Sequence, residues 1–286
     1  MSGIHIREAQ LRDLSGILAV YNCSLKELDE EDPIWFQTLL ESKPKNIVLL
    51  VATVSNKVAG FLLGYLNKKE SYVEAIAVHP RYRGLGLGSR LLKTFEKRAK
   101  EVGAEKVELS VKSGNTSALG FYLKQKYSIK GVVLLLSLDL NKVKFSRNTE
   151  FKVKLINSSR ALKLHAKIKA KPSVWWSLIT EEADSQIYSK IKNEKILAVY
   201  KRRKFKGLME FEPDTVTVVD YLALPYQYPK EALSALLEGL KICSCRWKIR
   251  SIVIPVDATK QAFISTLIST GFKVIGLEYR LIKKLK

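Results

Sequence analysis

Three glycines at alternate positions, Gly84, Gly86 and Gly88, constrain this chain more than any other feature of its sequence. They stand between an apolar stretch that ends at His79-Pro80 and a stretch whose apolar residues recur at helical spacing. This pattern predicts a long strand, a tight glycine turn and an amphipathic helix in succession. Such a turn offers unhindered backbone N–H groups to an anion, and the dipole of the following helix adds to the attraction. We therefore expect a binding site for a phosphate-bearing ligand.

Two common phosphate-binding loops do not fit this stretch. The loop of nucleotide hydrolases requires G-x-x-x-x-G-K-[ST], and no lysine followed by a hydroxyl residue stands here. The dinucleotide fingerprint requires G-x-G-x-x-G at the end of the first strand of the fold, and here Ser89 occupies the place of the last glycine. Both interpretations are set aside.

Two motifs together resemble the GCN5-related N-acetyltransferase (GNAT) family. The run from Arg83 to Gly88 matches its R-x-x-G-x-G pyrophosphate motif, and Asn115 to Tyr122 matches the pattern N-x-x-A-x-x-[FL]-Y of a later helix. One departure is Lys126-Tyr127, where the family commonly has Gly-Phe, and it puts the end of that helix in doubt. By motif and order of elements, the resemblance covers roughly residues 4 to 140.

The element pattern predicts the fold class and the domain organisation. Strands over 46–54, 57–66 and 71–80 with short polar breaks predict an antiparallel meander, and a helix, a strand, a helix and a strand follow. A similar order recurs after a polar linker at 141–150. We predict an α+β fold with a GNAT-type mixed, mostly antiparallel central sheet flanked by helices, in two tandem copies. The predicted domains are a catalytic domain over 1–142 and a degenerate basic domain over 150–286.

Two local predictions concern the second copy. The stretch SVWWSLI, residues 173–179, is predicted as a helix, and YKRRKFKG, residues 200–207, as part of a hairpin that turns at Arg202 to Lys204.

The resemblance implies acetyl-CoA as cosubstrate. It places the pyrophosphate on the backbone amides of the glycine turn and the pantetheine arm along the preceding strand. The implied cofactor-binding residues are Ile76, Ala77, Val78, Arg83, Gly84, Gly86, Gly88, Ser89, Asn115 and Tyr122.

The resemblance also implies a general acid, whereas the base is open. Tyr122 matches the family's acid, since a phenol with a pKa near ~10 is protonated at neutral pH. Glu74 is the candidate base, on a face that regular alternation would give it in common with Tyr72 and Ile76; Glu108 or a water molecule are alternatives. Relatives that acetylate protein N-termini often carry a glutamate where Ser110 stands here. No cysteine lies near the motifs, so we expect direct attack in a ternary complex.

Charge distinguishes the two halves of the chain. The formal net charge is +21, of which residues 1–140 contribute +5 and residues 141–286 contribute +16. Such an excess favours anionic partners, nucleic acid first, although a solvated lysine-rich surface explains it equally well. The turn in the second half, LPYQYPKEALSALL, has no glycine before the helix, so this copy is expected to have lost cofactor binding and to serve docking or structure.

Two functions are therefore kept open. The first is an N-acetyltransferase that acts on a primary amine of a protein or small molecule, and the second is a nucleic-acid-associated protein with a vestigial or regulatory acetyl-CoA site. No apolar run reaches the length of a membrane span, and the start of the chain lacks a signal-peptide pattern, so a cytoplasmic protein without a membrane partner is expected. Three cysteines and three histidines favour neither a disulfide framework nor a metal site.

Overall fold

The computed structural model describes residues 3–25, 28, 33–142, 150–170, 174–176 and 195–285. The strands are β1 Ile4–Glu8, β2 Ile47–Val54, β3 Lys57–Tyr65, β4 Glu70–Val78, β5 Lys106–Lys112, β6 Ser128–Asp139, β7 Phe151–Ile156, β8 Val174–Trp176, β9 Lys195–Lys201, β10 Lys204–Phe211, β11 Val216–Pro225, β12 Ser251–Asp257 and β13 Lys273–Lys284. The helices are α1 Leu14–Asn22, α2 Pro33–Ser42, α3 Leu87–Glu101, α4 Thr116–Lys124, α5 Ser158–Ala170, α6 Pro229–Trp247 and α7 Gln261–Ser269.

The chain forms two compact units. Unit 1 comprises Met1–Lys130 together with Tyr279–Lys286, and unit 2 comprises Gly131–Glu278. These units differ from the predicted domains, 1–142 and 150–286, because most of β6 belongs to unit 2 and the C-terminal part of β13 belongs to unit 1. In unit 2, β6 pairs with β12, and in unit 1 the C-terminal part of β13 lies next to β5.

Unit 1 is a sheet between two layers of helices. Its strand order is β1-β2-β3-β4-β5-β13, with antiparallel pairing from β1 to β4 and parallel pairing between β4 and β5. Helices α1 and α2 cover one face, and α3 and α4 cover the other.

The position of β2 in this sandwich explains its unbroken apolar run. Leu49 and Val51 pack on the face of α1 and α2, whereas Leu50 and Ala52 pack on the face of α3. A strand that is covered on both faces has no polar alternation.

Helix α3 has an apolar side and a charged side. Leu87, Leu91 and Phe95 are buried against the sheet, whereas Lys93 and Lys97 are exposed. Burying a large apolar side chain of this kind stabilises the fold by about 1.5–3 kcal/mol, so this face holds the glycine turn before α3 firmly against the sheet.

Unit 2 repeats most of the element order of unit 1, with strand β8 between α5 and β9 where unit 1 has helix α2. Its main strand order is β7-β9-β10-β11-β12-β6, with β8 as an additional strand on β11; β11 and β12 are parallel and the other recorded pairs are antiparallel. Helices α6 and α7 pack in one apolar cluster and α5 packs in another. The predicted fold class, a mostly antiparallel mixed sheet flanked by helices in two copies, is confirmed.

Two local predictions in the second copy have different outcomes. The predicted helix over 173–179 is wrong at Val174–Trp176, which form strand β8. These residues pair with an open strand edge, and such long-range pairing overrides a short local pattern. The hairpin is confirmed, with Arg202 and Arg203 at its turn. Most of the predicted linker at 141–150, namely 143–149, lies outside the described residues.

Three findings concern membrane spans, metal sites and cysteines. Helices of the described ranges are all too short or too polar to cross a membrane. Within those ranges, no group of three or more His, Cys, Asp or Glu side chains is arranged to hold a metal ion. Cys23, Cys243 and Cys245 are free thiols.

Candidate active site

The glycine turn connects β4 to α3 through two residues in the left-handed conformation. A single 3₁₀ turn over Pro80–Tyr82 follows β4, and then Gly84 and Gly86 have φ values of +81° and +74°. Gly86 is the N-terminal cap residue of α3. A Cβ atom added to either glycine would meet no atom within 4 Å. Backbone conformation, and not crowding within the protein, therefore requires glycine at both positions.

The first turn of α3 leaves backbone donors open next to these glycines. The first intrahelical hydrogen bond runs from Arg90 N–H to the Gly86 carbonyl oxygen at 3.1 Å. The amides of Leu87, Gly88 and Ser89 precede it and have no carbonyl of their own helix to donate to. They stand at the positive end of the helix dipole, which suits an anion.

The side chains of Arg83 and Ser89 have partners within the protein. Arg83 Nε donates to the Val78 carbonyl oxygen at 3.1 Å, which ties the turn to the end of β4. Gln125 Nε2 donates to Ser89 Oγ at 3.0 Å and so links the start of α3 to the end of α4. Sequence reasoning missed Gln125, which belongs to neither motif.

An opening between β4 and β5 leads towards the turn. The two parallel strands pair from Glu70 with Lys106 to Val73 with Leu109. Beyond this point β4 continues to Val78 and β5 to Lys112. Within the described part of the chain, these continuations do not pair with each other. The edge of β4 that carries Ile76, Ala77 and Val78 therefore faces the opening.

A β-bulge at Glu74 lies where the opening begins. Leu63 pairs with Ala75 and Gly64 pairs with Val73, so Glu74 has no opposite residue on β3. The bulge reverses the alternation of side chains along β4. Tyr72 consequently lies on the face opposite to Ile76, because Ile76 packs in the same cluster as Val73. The expected common face of Tyr72, Glu74 and Ile76 is wrong for this reason.

The structure brings the two sequence motifs together at Gly88. An added Cβ on Gly88 would lie 3.4 Å from Phe121 Cζ and 3.9 Å from Val78 Cγ2. The third glycine is therefore in close contact with helix α4, next to Tyr122, and with the end of β4. A larger residue here would have to push against the Phe121 ring.

Helix α4 begins at a capped end and carries Tyr122 into the interior. Asn115 Oδ1 accepts a hydrogen bond from Ala118 N–H at 3.0 Å, so the Asn115 side chain has a capping role. Tyr122 is 6% exposed, and its ring packs against Phe121 and Tyr127 with centroid distances of 5.1 and 5.7 Å. Burial raises the pKa of the Tyr122 hydroxyl above its usual value. The phenol therefore stays protonated over the physiological pH range.

The departure at Lys126-Tyr127 lies at a left-handed helix end. Lys126 has φ +68°, and hydrogen bonds from its own N–H to the Leu123 oxygen and from Tyr127 N–H to the Tyr122 oxygen close the helix end. The Tyr127 hydroxyl donates to Glu96 Oε1 at 3.1 Å, and Lys283 Nζ donates to Glu96 Oε2 at 2.7 Å. The Tyr127 hydroxyl, which a phenylalanine would lack, thus has a hydrogen-bond partner in the interior.

The two candidate bases have different environments. Glu74 is exposed on β4, whereas Glu108 is 1% exposed on β5. Glu108 accepts hydrogen bonds from Lys130, from Lys106 at 3.1 Å and from Arg280 at 3.0 Å. Burial alone would raise the pKa of Glu108, but hydrogen bonds with Glu70 and with these three cations lower it to about 2.

The Glu70 carboxyl completes this charge cluster, which sequence reasoning did not find. Burial and the hydrogen bond with Glu108 raise the pKa of Glu70. Lys106 Nζ lies 2.5 Å from Glu70 Oε2. Arg280 gave no sequence signal, since 172 positions separate it from Glu108.

Comparisons with known proteins identify the family. The sequence model described as Acetyltransferase (GNAT) family matches residues 14–127. An N-alpha-acetyltransferase of Sulfurisphaera tokodaii is 33% identical over 132 residues, which cover 42% of this chain and 77% of that protein. Acetyltransferase SG1711 of Sodalis glossinidius is 33% identical over 89 residues, or 31% of this chain and 63% of that protein.

Two solved structures resemble the whole chain in fold. A tandem GNAT protein from the clavulanic acid biosynthesis pathway has a TM-score of 0.72 at 11% identity, with 99% of each chain covered. A GCN5-related N-acetyltransferase from Sphaerobacter thermophilus has a TM-score of 0.73 at 14% identity, with 99% of this chain and 96% of that chain covered. Because the family model matches residues 14–127 and a relative at 33% identity is covered over 77% of its length, the chain belongs to the acetyltransferase (GNAT) family.

Proposed function

We propose that the protein transfers an acetyl group from acetyl-CoA to a primary amine, and that unit 1 carries out the reaction. The observation that carries the proposal is the opening between β4 and β5, which runs from the bulge at Glu74 towards the left-handed glycine turn. In this proposal the pyrophosphate binds the amides of Gly84 to Ser89, and the pantetheine arm pairs with Ile76 to Val78 as an added strand.

The proposed reaction is a direct attack in a ternary complex. The deprotonated acceptor nitrogen forms a bond to the thioester carbon, and a backbone N–H at the bulge stabilises the oxyanion of the tetrahedral intermediate. The C–S bond then breaks, its electron pair stays on sulfur, and the Tyr122 hydroxyl donates its proton there. The attacking nitrogen loses its second proton to solvent as the amide forms, and Tyr122 recovers a proton from solvent. The products are the acetylated amine and the free thiol of CoA.

Glu74 is a better candidate for the base than Glu108. The ion-paired carboxylate of Glu108 has a pKa of about 2, so it has little affinity for a proton from an ammonium group. Glu74 is exposed at the start of the opening and can accept that proton directly or through a water molecule. Asn115 is proposed to contribute to the cofactor site through its position at the start of α4. Its side chain itself caps that helix.

A peptide α-amine is the acceptor that one comparison favours. The relative from Sulfurisphaera tokodaii is an N-alpha-acetyltransferase, and its match covers 77% of that protein. A small-molecule amine is the alternative. Turnover with short peptides of varied first residue, compared with polyamines and free lysine, distinguishes the two classes.

Calorimetric titration with acetyl-CoA tests the cofactor site. We expect micromolar binding to the wild type and no binding to Gly86→Glu, because a carboxylate side chain at the turn repels the pyrophosphate. Gly103→Glu is the matched control, since Gly103 at the other end of α3 has φ +85° and equally open surroundings. Loss of binding in both variants, or in neither, would contradict the proposal.

Nucleic acid is the second candidate partner, and we propose the hairpin of unit 2 as its binding site. Arg202 and Arg203 form its two-residue turn with φ values of +48° and +65°, a conformation that favours Asn and Gly. The corresponding turn of unit 1 uses Ser55 and Asn56 at +48° and +61°. Two arginines thus stand where the backbone disfavours them, beside Lys204, and Arg202 Nη2 lies 4.0 Å from Glu150 Oε1.

Exchange of the turns between the copies tests this second candidate. The double variant Arg202→Ser, Arg203→Asn should fold at least as stably as the wild type, because the new residues tolerate the left-handed conformation. If the hairpin binds RNA, the variant should bind it more weakly, and the slope of affinity against salt concentration should become shallower. An unchanged affinity and salt slope would remove nucleic acid as a partner of this hairpin.

A further inference from the structure

The strand edge that forms the proposed cofactor opening in unit 1 has a residue-by-residue counterpart in unit 2. On β11, Tyr221 pairs with Glu210 and Val219 pairs with Phe211, so Asp220 forms a bulge as Glu74 does on β4. Counting three residues onward from each bulge places Ala77 of β4 in correspondence with Ala223 of β11.

Close approach of a glycine confirms this correspondence. A Cβ atom added to Gly60 would lie 2.9 Å from the Ala77 carbonyl oxygen, and one added to Gly207 would collide with the Ala223 carbonyl oxygen. Both glycines lie on the neighbouring strand, β3 or β10. The residues that correspond to Ile76, Ala77 and Val78 are therefore Leu222, Ala223 and Leu224.

The parallel strands of unit 2 also separate beyond the bulge. β11 pairs with β12 from Val216 with Ser251 to Val218 with Val253. Beyond this point β11 continues to Pro225 and β12 to Asp257. The backbone of unit 2 thus repeats the opening of unit 1.

In unit 2, a strand of the chain itself lies on this edge. Ala223 pairs with Leu208 of β10 on one side and with Trp176 of β8 on the other. Leu224 pairs with Trp175, and Pro225 with Val174. Because β10 occupies one edge of β11, β8 must lie on the edge that corresponds to the opening. Three residues of main chain stand where an added strand from a pantetheine arm would otherwise pair.

The turn that follows β11 is less suited to phosphate than the glycine turn of unit 1. Tyr228 has φ +62° and caps α6, as Gly86 caps α3, but it carries an aromatic ring where Gly86 carries none. Lys201 Nζ lies 3.9 Å from the centroid of that ring. The first residue of α6 is Pro229, which has no N–H to donate.

We propose that β8 fills the cofactor-type opening of unit 2 as a built-in strand, so that the protein binds one acetyl-CoA per chain, in unit 1. The proposed number of acetyl-CoA sites, one per chain, rests on the proposed function of unit 1. The pairing of β8 with the β11 edge of unit 2 is independent of that function. Unit 2 then has the same backbone opening as unit 1, but the opening has a structural role. The main chain of β8 supplies the hydrogen-bond partners of the β11 edge.

Hydrogen exchange read residue by residue tests the occupation of the edge without acetyl-CoA. The amides of Leu222 to Leu224 that point away from β10 should exchange slowly in the wild type. They should exchange at least tenfold faster in Trp175→Pro, since proline removes a donor from the three-residue strand. Tyr228→Gly leaves β8 intact and should preserve the slow exchange. Fast exchange of these amides in the wild type would overturn the proposal.

Titration with acetyl-CoA tests the proposed number of binding sites per chain. We expect one site per chain in the wild type and in Tyr228→Gly, and none in Gly86→Glu. Two sites in the wild type, one site remaining in Gly86→Glu, or new protection of Leu222 to Leu224 when acetyl-CoA is added would each contradict it. If the wild type binds no acetyl-CoA at all, the proposed function of unit 1 fails, and the exchange result still decides whether β8 holds the edge of unit 2.

Discussion

The Arg280 guanidinium donates a 3.0 Å hydrogen bond to Glu108 Oε2, although the two residues are 172 positions apart in the chain. Arg280 belongs to the terminal segment Tyr279–Lys286 that completes unit 1, and Glu108 is 1% exposed on β5. Leu281 of the same segment is fully buried, and Leu285 N–H donates to the Glu105 oxygen at 2.8 Å. The unit proposed to be catalytic therefore includes the segment Tyr279–Lys286, which is distant in sequence from the rest of the unit.

Removal of the Arg280 side chain should destabilise the protein strongly. We expect Arg280→Ala to lower the free energy of unfolding by about 2–4 kcal/mol, because a buried carboxylate loses one of its three cations. Urea denaturation measures this change. Lys284→Ala is the control on the same strand, since Lys284 is exposed and its loss should cost no more than about 0.5 kcal/mol. Equal effects of the two variants would argue against the role of Arg280.

Stability should fall in acid partly because of Glu108. Its pKa is lowered from 4.5 to about 2, so its ionised form stabilises the folded state above pH 4.5. That contribution is lost as the pH falls through about 2. The raised pKa of Glu70 acts in the opposite direction and offsets part of it. Urea midpoints measured from pH 2 to pH 7 should fall less steeply below pH 4.5 in Glu108→Gln than in the wild type. Identical slopes would show that Glu108 is not held by its cations.

Loss of the Tyr122 hydroxyl should affect turnover and leave cofactor binding intact. If Tyr122 is the acid, Tyr122→Phe should lower kcat by about 10²–10⁴-fold, with the Kd for acetyl-CoA unchanged. Steady-state kinetics and calorimetry measure the two quantities.

Tyr127→Phe is the matched control for Tyr122→Phe. It removes the hydrogen bond to Glu96 and should lower the free energy of unfolding by about 1–2 kcal/mol, with little effect on kcat. If both variants reduce kcat equally, the effect comes from packing and not from proton donation.

Glycine at the end of α4 should stabilise the protein. Lys126 is left-handed at φ +68°, so we expect Lys126→Gly to raise the free energy of unfolding by about 0.5–1 kcal/mol through relief of backbone strain. Lys124→Gly makes the same change at the last helical residue and should lower it by a similar amount. Thermal denaturation of both variants checks the prediction, which fails if Lys126→Gly is the less stable of the two.

The sequence by itself determined the local elements and the chemistry that they can carry. A left-handed turn before a helix requires glycine, and an amphipathic helix requires apolar residues at helical spacing, so Gly84, Gly86 and α3 could be predicted. The same holds for the helix that begins after Asn115 and for the hairpin at Arg202, since each depends on residues a few positions apart.

Only the tertiary structure decided the exchange of β6 and β13, the cluster around Glu108 and the pairing of β8 with β11. Each of these depends on residues far apart in the chain. The backbone hydrogen bonds that join strands are the same for any sequence, so the local pattern of β8 does not record its partner. A carboxylate such as Glu108 likewise acquires its pKa from whichever cations the fold brings to it, and Arg280 reaches it only through the last strand.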